Sequence, residues 1–226
     1  MRACPVIAID GPSGSGKGTI AGILAARLGF SLLDSGALYR AVGITVHKSR
    51  IKIRNTTQII EIINKMDIYF QYNDVGRVFV DGEDLTTLIR SELGGQMASK
   101  VAVLPEVRRA LLGKQLAFRA GPGLVADGRD MGTVVFPDAE LKIFLNANVQ
   151  ERAQRRYNQL IGKGIDATLP DLLRDLKERD KRDTERPVSP LRPGKDAVII
   201  DSTDLTVQEV VEQVLSLFST VASRPH

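Results

Sequence analysis

The sequence predicts an α/β fold, a doubly wound five-stranded parallel sheet with helices on both faces. Three observations carry that reading. Five short apolar runs, at residues 6–9, 30–33, 124–126, 141–145 and 198–200, alternate with stretches of helical period. The first run passes through a glycine-rich turn straight into a helix. Polar residues gather just beyond the first three runs, and sheets of this kind bind ligands beyond the carboxyl ends of their strands.

The elements follow in order. After the first strand and turn, residues 19–28 read as a helix and residues 30–33 as a short buried strand ending at Asp34-Ser35-Gly36. Leu38, Val42 and Thr45 or Val46 mark a helix over 38–48, and Ile59, Ile62, Ile63 and Met66 share one face of a helix over 58–66. The pattern then changes. Residues 67–72 and 77–81 are β-rich, separated by Asn73-Asp74-Val75-Gly76 and followed by a second turn signal at Asp81-Gly82, which reads as a hairpin. A hairpin between helices does not belong to an alternating sheet, so residues 56–93 read as an insertion. Pro105 opens a basic helix over 105–119, ended by Gly121-Pro122-Gly123. The third core strand stops at Asp127-Gly128-Arg129-Asp130. A fourth strand leads into a helix over 149–161, broken by Gly162-Lys163-Gly164 and resumed over 169–183. Pro187, Pro190 and Pro193 form a stiff connector. After the fifth strand, Val207, Val210, Val211, Val214, Leu215 and Phe218 stripe the last helix.

The totals bound the function. With 226 residues, 43% hydrophobic and 26% charged, the chain has an ordinary globular composition and enough length for a substantial core. Its apolar runs are far short of a membrane span and its N-terminus enters a strand without a signal-peptide pattern, so no membrane partner and a cytoplasmic address are expected. Cys4 is the only cysteine, which excludes an intramolecular disulfide. The net charge of +4 sits mostly between residues 151 and 192. A nucleic-acid patch and a set of arginines for a small polyanion compete for that charge. Tyr157 is the only aromatic residue in the stretch, which argues against a base-stacking platform.

The turn after the first strand is Gly11-Pro12-Ser13-Gly14-Ser15-Gly16-Lys17-Gly18-Thr19. In a strand–turn–helix context this is a phosphate-binding loop of the P-loop NTPase kind. Its glycines let successive N–H groups turn inward, the helix adds its positive end, and Lys17 supplies a mobile point charge for a β- or γ-phosphate. The usual hydroxyl after the lysine is replaced by Gly18, with Thr19 one place later. Mg²⁺ would then be held mainly by phosphates and water.

Arg40 and Arg129 lie at strand-end loops. Arg179, Arg182 and Arg186 follow at i, i+3 and i+7 and share a face if the helix runs that far. Arginine suits forked contacts to phosphate, while the plain alternative for the trio is a solvated face paired with Glu178, Asp180, Asp183 and Glu185. Asp127 is a candidate for orienting Mg²⁺-bound water, or a turn residue capping its own backbone. Asp130 could pair with Arg129 or accept from an exocyclic amino group. His47 and His226 are not placed as catalytic bases.

Four stretches, residues 9–19, 33–40, 126–137 and 178–183, give the whole chain a resemblance to the bacterial type of cytidylate (CMP/dCMP) kinase, in the family's order. The Gly-Lys-Gly-Thr ending, odd for P-loops at large, is usual in nucleoside monophosphate kinases. The resemblance implies three parts: a core of residues 1–34, 100–150 and 187–226, a monophosphate-binding part of residues 35–99 with a small antiparallel β insert, and a short lid with its flanking helices over 151–186. It implies that Arg40 and Arg129 hold the α-phosphate of CMP, that Ser99, Arg108 and Asp130 read the cytosine, and that Ser35 lines the pocket. Arg179 and Asp183 would reach the sugar, with Arg186 on the phosphate or base side. Arg108 is preferred over its neighbour Arg109. Catalytic roles are expected for Lys17, Arg40, Arg129, Arg179 and Arg186.

The expected reaction moves the γ-phosphoryl of ATP·Mg²⁺ to CMP or dCMP. A phosphate oxygen is the nucleophile and is already anionic at neutral pH, since the second phosphate pKa is about 6, so no general base is required. The Gly162-Lys163-Gly164 and Gly94-Gly95 breaks are expected flexing points. One rival is another small-molecule kinase, acting on a different monophosphate or on shikimate or gluconate. A second is a nucleotide-dependent, RNA-associated switch, which predicts salt-dependent RNA binding. Nothing in the sequence demands a partner surface, so a monomer that binds no nucleic acid is expected.

Overall fold

A computed structural model of the chain describes residues 4–71, 77–162 and 164–223. Its elements run β1 (Val6–Asp10), α1 (Lys17–Leu28), β2 (Ser31–Asp34), α2 (Ser35–Lys48), α3 (Thr56–Lys65), β3 (Ile68–Gln71), β4 (Arg77–Val80), β5 (Glu83–Asp84), α4 (Thr86–Ile89), α5 (Glu92–Ala102), α6 (Pro105–Leu116), β6 (Leu124–Gly128), β7 (Leu141–Asn146), α7 (Val149–Ile161), α8 (Leu169–Glu185), β8 (Val198–Asp201) and α9 (Val207–Ala222). A π-helical turn, Met131–Val135, follows β6.

The chain divides into two compact units, residues 1–33 with 118–226, and residues 34–117. The first holds the five-stranded parallel sheet, ordered β2-β6-β1-β7-β8. β1 lies between β6 and β7, with Ile9 beside Asp127 and Ile143. Every residue of β1 and β6 is buried, as expected of parallel strands covered on both faces. Ile20, Leu24 and Ala25 of α1 and Val210, Val211 and Val214 of α9 pack with Ile7, Ile9, Val125, Ile143 and Ile200. α9 starts at a capping box, Thr206 with Glu209.

The second unit has its own core, built from Val42, Ile44 and Val46 of α2, Ile59 and Ile63 of α3, Val78 and Val80 of β4, and Val107 and Leu111 of α6. Its small antiparallel sheet, β3-β4-β5, is the anticipated β insert. The turn expected at Asn73–Gly76, with Tyr72, falls outside the described residues. The Asp81-Gly82 signal is a two-residue hairpin turn with φ of 51° and 82°, the left-handed pair that matches strand twist.

One expectation changed. The Gly94-Gly95 pair reads as a break in sequence, yet it lies inside α5, whose cap Ser91 accepts from the Gly94 N–H at 3.2 Å. A Cβ at Gly94 would stand 2.4 Å from the Ile89 carbonyl oxygen, so the glycine serves close packing of α4 on α5 rather than flexing. α6 lies in the second unit, where Val107 and Leu111 bury into the cluster that holds Ile59 and Ile63. Both α7 and α8, the expected lid and its flanks, fall in the first unit. Lys163 lies outside the described residues. Among those described, no helix is long and apolar enough to cross a membrane.

Candidate active site

The donor loop is built by backbone constraint. A Cβ on Gly11 would lie 2.1 Å from the Leu145 carbonyl oxygen. Gly14 and Gly16 hold φ of 78° and 90°, which a side chain rarely tolerates. Lys17 opens α1, is buried, and donates from Nζ to the Pro12 carbonyl at 2.9 Å. Burial, then the charge of Arg129, pulls its pKa down to about 7; Arg179 adds to the fall, while Asp127 and Asp183 oppose it. Ser15 Oγ is buried and makes no hydrogen bond with the described residues.

Gly18 also has a structural reason. A Cβ there would lie 3.2 Å from Asp127 Oδ2. The carboxylate of β6 thus fills the space that a side chain after the lysine would need. Asp127 is buried and offers a hard oxygen beside the loop, which fits Mg²⁺. No group of three or more His, Cys, Asp or Glu among the described residues could enclose a metal, so the fit is to an ion that brings most of its oxygen ligands with it.

Two arginines of α7 hold the loop from behind. The buried Arg152 donates to the Ser13 carbonyl at 2.9 Å, to the Ala147 carbonyl at 2.9 Å, and in a fork to Asp180 of α8 at 2.6 and 3.2 Å. Arg155 reaches the Ser15 carbonyl at 3.4 Å and the Ser202 carbonyl at 2.6 Å.

Beyond β6, Arg129 donates from Nε to Asp183 Oδ2 at 2.9 Å. Burial works against the Arg129 charge, and Asp183 outweighs it, so the guanidinium pKa is raised. Burial alone would raise the Asp183 carboxyl; Arg129, then Arg179 and Arg186, hold it below the usual carboxylate range instead. Asp130 is buried, with Arg186 Nη2 3.9 Å from its Oδ1. Lys17, Arg129, Arg179, Asp183 and Arg186 are therefore electrostatic neighbours within the first unit. The trio expected on one helical face is not one: α8 ends at Glu185, Arg186 is buried in the chain beyond it, and Arg182 is exposed, donating to the Glu178 carbonyl.

In the second unit, Ser35 is buried at the start of α2 and its Oγ accepts from Gln115 at 2.8 Å. Asp34 caps α2 at the Ala37 N–H. Arg40 donates to the Ile89 carbonyl at 3.2 Å. Arg108 is buried with its guanidinium 5.5 Å over the Tyr39 ring, whereas Arg109 is exposed. Ser99 is half-buried on α5.

Sequence reasoning missed Asp10, Arg152, Arg155 and Gln115. Asp10 precedes the glycine-rich turn and carries no local sign of its own, because its partners are the distant Met131 and Gly132 N–H groups. The other three lie on helices whose charge or polarity reads as ordinary surface; burial separates Arg152 and Gln115 from it, and the bonds to the Ser15 and Ser202 carbonyls separate Arg155.

The family model for cytidylate kinase matches residues 7–220. A cytidylate kinase of Stutzerimonas stutzeri is 51% identical over 219 residues, covering 96% of each chain. One of Vibrio parahaemolyticus is 51% identical, covering 93% of this chain and 94% of its own. One of Pseudomonas savastanoi is 53% identical, covering 94% of each. A solved shikimate kinase from Acinetobacter baumannii is similar at 19% identity and a TM-score of 0.45, covering 98% of this chain and 96% of that one, too remote to bear on the acceptor. With a full-length match and half of its residues shared, the chain belongs to the cytidylate kinase family.

Proposed function

We propose that the protein is an ATP:(d)CMP phosphotransferase, moving the γ-phosphoryl of ATP to CMP or dCMP to give (d)CDP and ADP. The observation that carries this reading is the cation set of the first unit, with Lys17 and Arg186 buried and Arg129 and Arg179 half-buried. Burial first, then the charges of Arg129 and Arg179, lower the pKa of Lys17 in the donor loop, so donor and acceptor cations act on one volume. Such charge has a use when two polyanions must be brought together, and phosphoryl transfer is that case.

The donor loop binds the ATP phosphates through its N–H groups and Lys17. Asp127 would hold Mg²⁺ through water, and the ion would supply charge neutralisation to the transferring phosphates. Arg129, Arg179 and Arg186 bind and align the acceptor phosphate and sugar, releasing Asp183 from Arg129 for the ribose side. Asp130 accepts from the cytosine 4-amino group; uracil would present a carbonyl oxygen to that carboxylate. On the resemblance, Ser35, Arg40, Ser99 and Arg108 serve the same acceptor. A cytoplasmic monomer that binds no nucleic acid goes with this reading.

ADP release measured with CMP, dCMP, UMP, AMP and shikimate tests it. CMP and dCMP should stimulate release strongly and UMP weakly. Equal stimulation by shikimate or AMP, or turnover independent of any acceptor, would reject the assignment.

A further inference from the structure

We infer that Asp10 is a positioning residue that sets the acceptor-binding loop relative to the donor loop. Asp10 is the last residue of β1, directly before Gly11. Its carboxylate is buried and bidentate: Oδ1 accepts from the Met131 N–H and Oδ2 from the Gly132 N–H, each at 2.8 Å.

Those two N–H groups head the π-helical turn 131–135, and the leading N–H groups of a helical turn have no partner within it. From the far end of the turn, the Val134 and Val135 N–H groups donate back to the carbonyl of Asp130, the residue before it, at 2.9 and 3.1 Å. The residues entering the turn are Arg129 and Asp130, the pair proposed to hold the acceptor phosphate and base. One side chain therefore joins the residue before the donor loop to the residue after the acceptor pair.

A buried carboxylate is an expensive way to hold a backbone turn. Burial pushes the Asp10 carboxyl up to about 6, against the pull of the Gly132 and Met131 N–H bonds. Asp130 adds to the rise and Lys17 opposes it, and Arg129 faces it as a cation. No amide or hydroxyl side chain of that length offers two separate acceptor oxygens. Asparagine would keep one bond and turn its own N–H₂ toward the second N–H. In-line transfer depends on alignment at the scale of an ångström or less, so a two-point anchor is the feature that alignment requires.

The inference rests on the proposed role of Arg129 and Asp130, and its test separates the two. Steady-state kinetics of Asp10→Asn should show kcat/KM for CMP lowered by about 10- to 10²-fold, with ATP affinity, measured by calorimetry, within about twofold of wild type and Asp130-dependent CMP-over-UMP preference weakened. Asp10→Ser, smaller and uncharged, should show the same split. Asp10→Glu should not restore activity, because its extra methylene displaces both oxygens. Unchanged CMP kinetics in a folded variant would overturn the inference, as would an equal loss of ATP and CMP affinity. Failure of both Asn and Ser variants to fold would assign Asp10 to the fold alone and equally overturn it. A wild-type enzyme with no CMP-dependent activity would instead sink the proposed function.

Discussion

Lys17 is held in a state that phosphate should change. Its folded pKa, about 7, lies well below the value of about 10.4 for a free lysine. In the nucleotide-free protein the charged form therefore costs stability below about pH 7, and that cost is relieved as pH rises toward the unfolded value. A bound polyphosphate favours the charged form and lifts the pKa again. ATP binding at pH 8 should thus take up a measurable fraction of a proton, read as a dependence of calorimetric heat on buffer ionisation enthalpy. Lys17→Met should abolish it, and an uptake unchanged in that variant would place the titrating group elsewhere. At the other end of the site, Asp130→Ala should collapse a CMP-over-UMP preference of about 10²-fold toward parity. Competitive assays with both acceptors give that ratio directly. These residues differ in legibility. Lys17 is announced by the loop around it, and Asp130 by its place after a strand. Asp10 carries no such sign, because its partners lie 121 and 122 residues away.

Among the elements, α2 and α5 meet at their most constrained point at Gly43. A Cβ there would lie 2.8 Å from both the carbonyl carbon and Cβ of Met97. Two helices that approach this closely cannot accept a branched side chain without separating. Gly43→Val should lower stability by about 1–3 kcal/mol, seen as a drop in the thermal midpoint and in the denaturant midpoint at unchanged slope. Retention of the wild-type midpoint would mean that the helices separate at no cost. The sequence marks α2 through its apolar period, while the structure starts the helix at Ser35, where Asp34 caps it. The sequence marks α5 badly, because the Gly94-Gly95 pair, of which Gly94 packs closely on α4, imitates a break. Helix propensity is a local quantity, and at α5 tertiary packing overrides it. The same holds for α6: its start at Pro105 is visible, but which core receives Val107 and Leu111 is not.

At the scale of the whole molecule, the residues proposed for one acceptor are divided between two compact units. CMP with a non-hydrolysable ATP analogue should slow amide hydrogen exchange in α5 and α6 of the second unit as well as around Arg129 and α8 of the first. Protection confined to one unit would show that the other set of residues does not bind. By itself the sequence determined the parallel sheet, the donor loop, the β insert and the family, because strand and helix periods, glycine turns and motif spacing are written in neighbouring residues. Only the tertiary structure decided that Arg108 is buried and Arg109 exposed, that Arg182 faces solvent while Arg186 is buried, that Arg152 ties Ser13 to Asp180, and that Asp127 stands over Gly18. Each of those is a contact or a burial, set by segments far apart in the chain, and no local pattern encodes the distance between them.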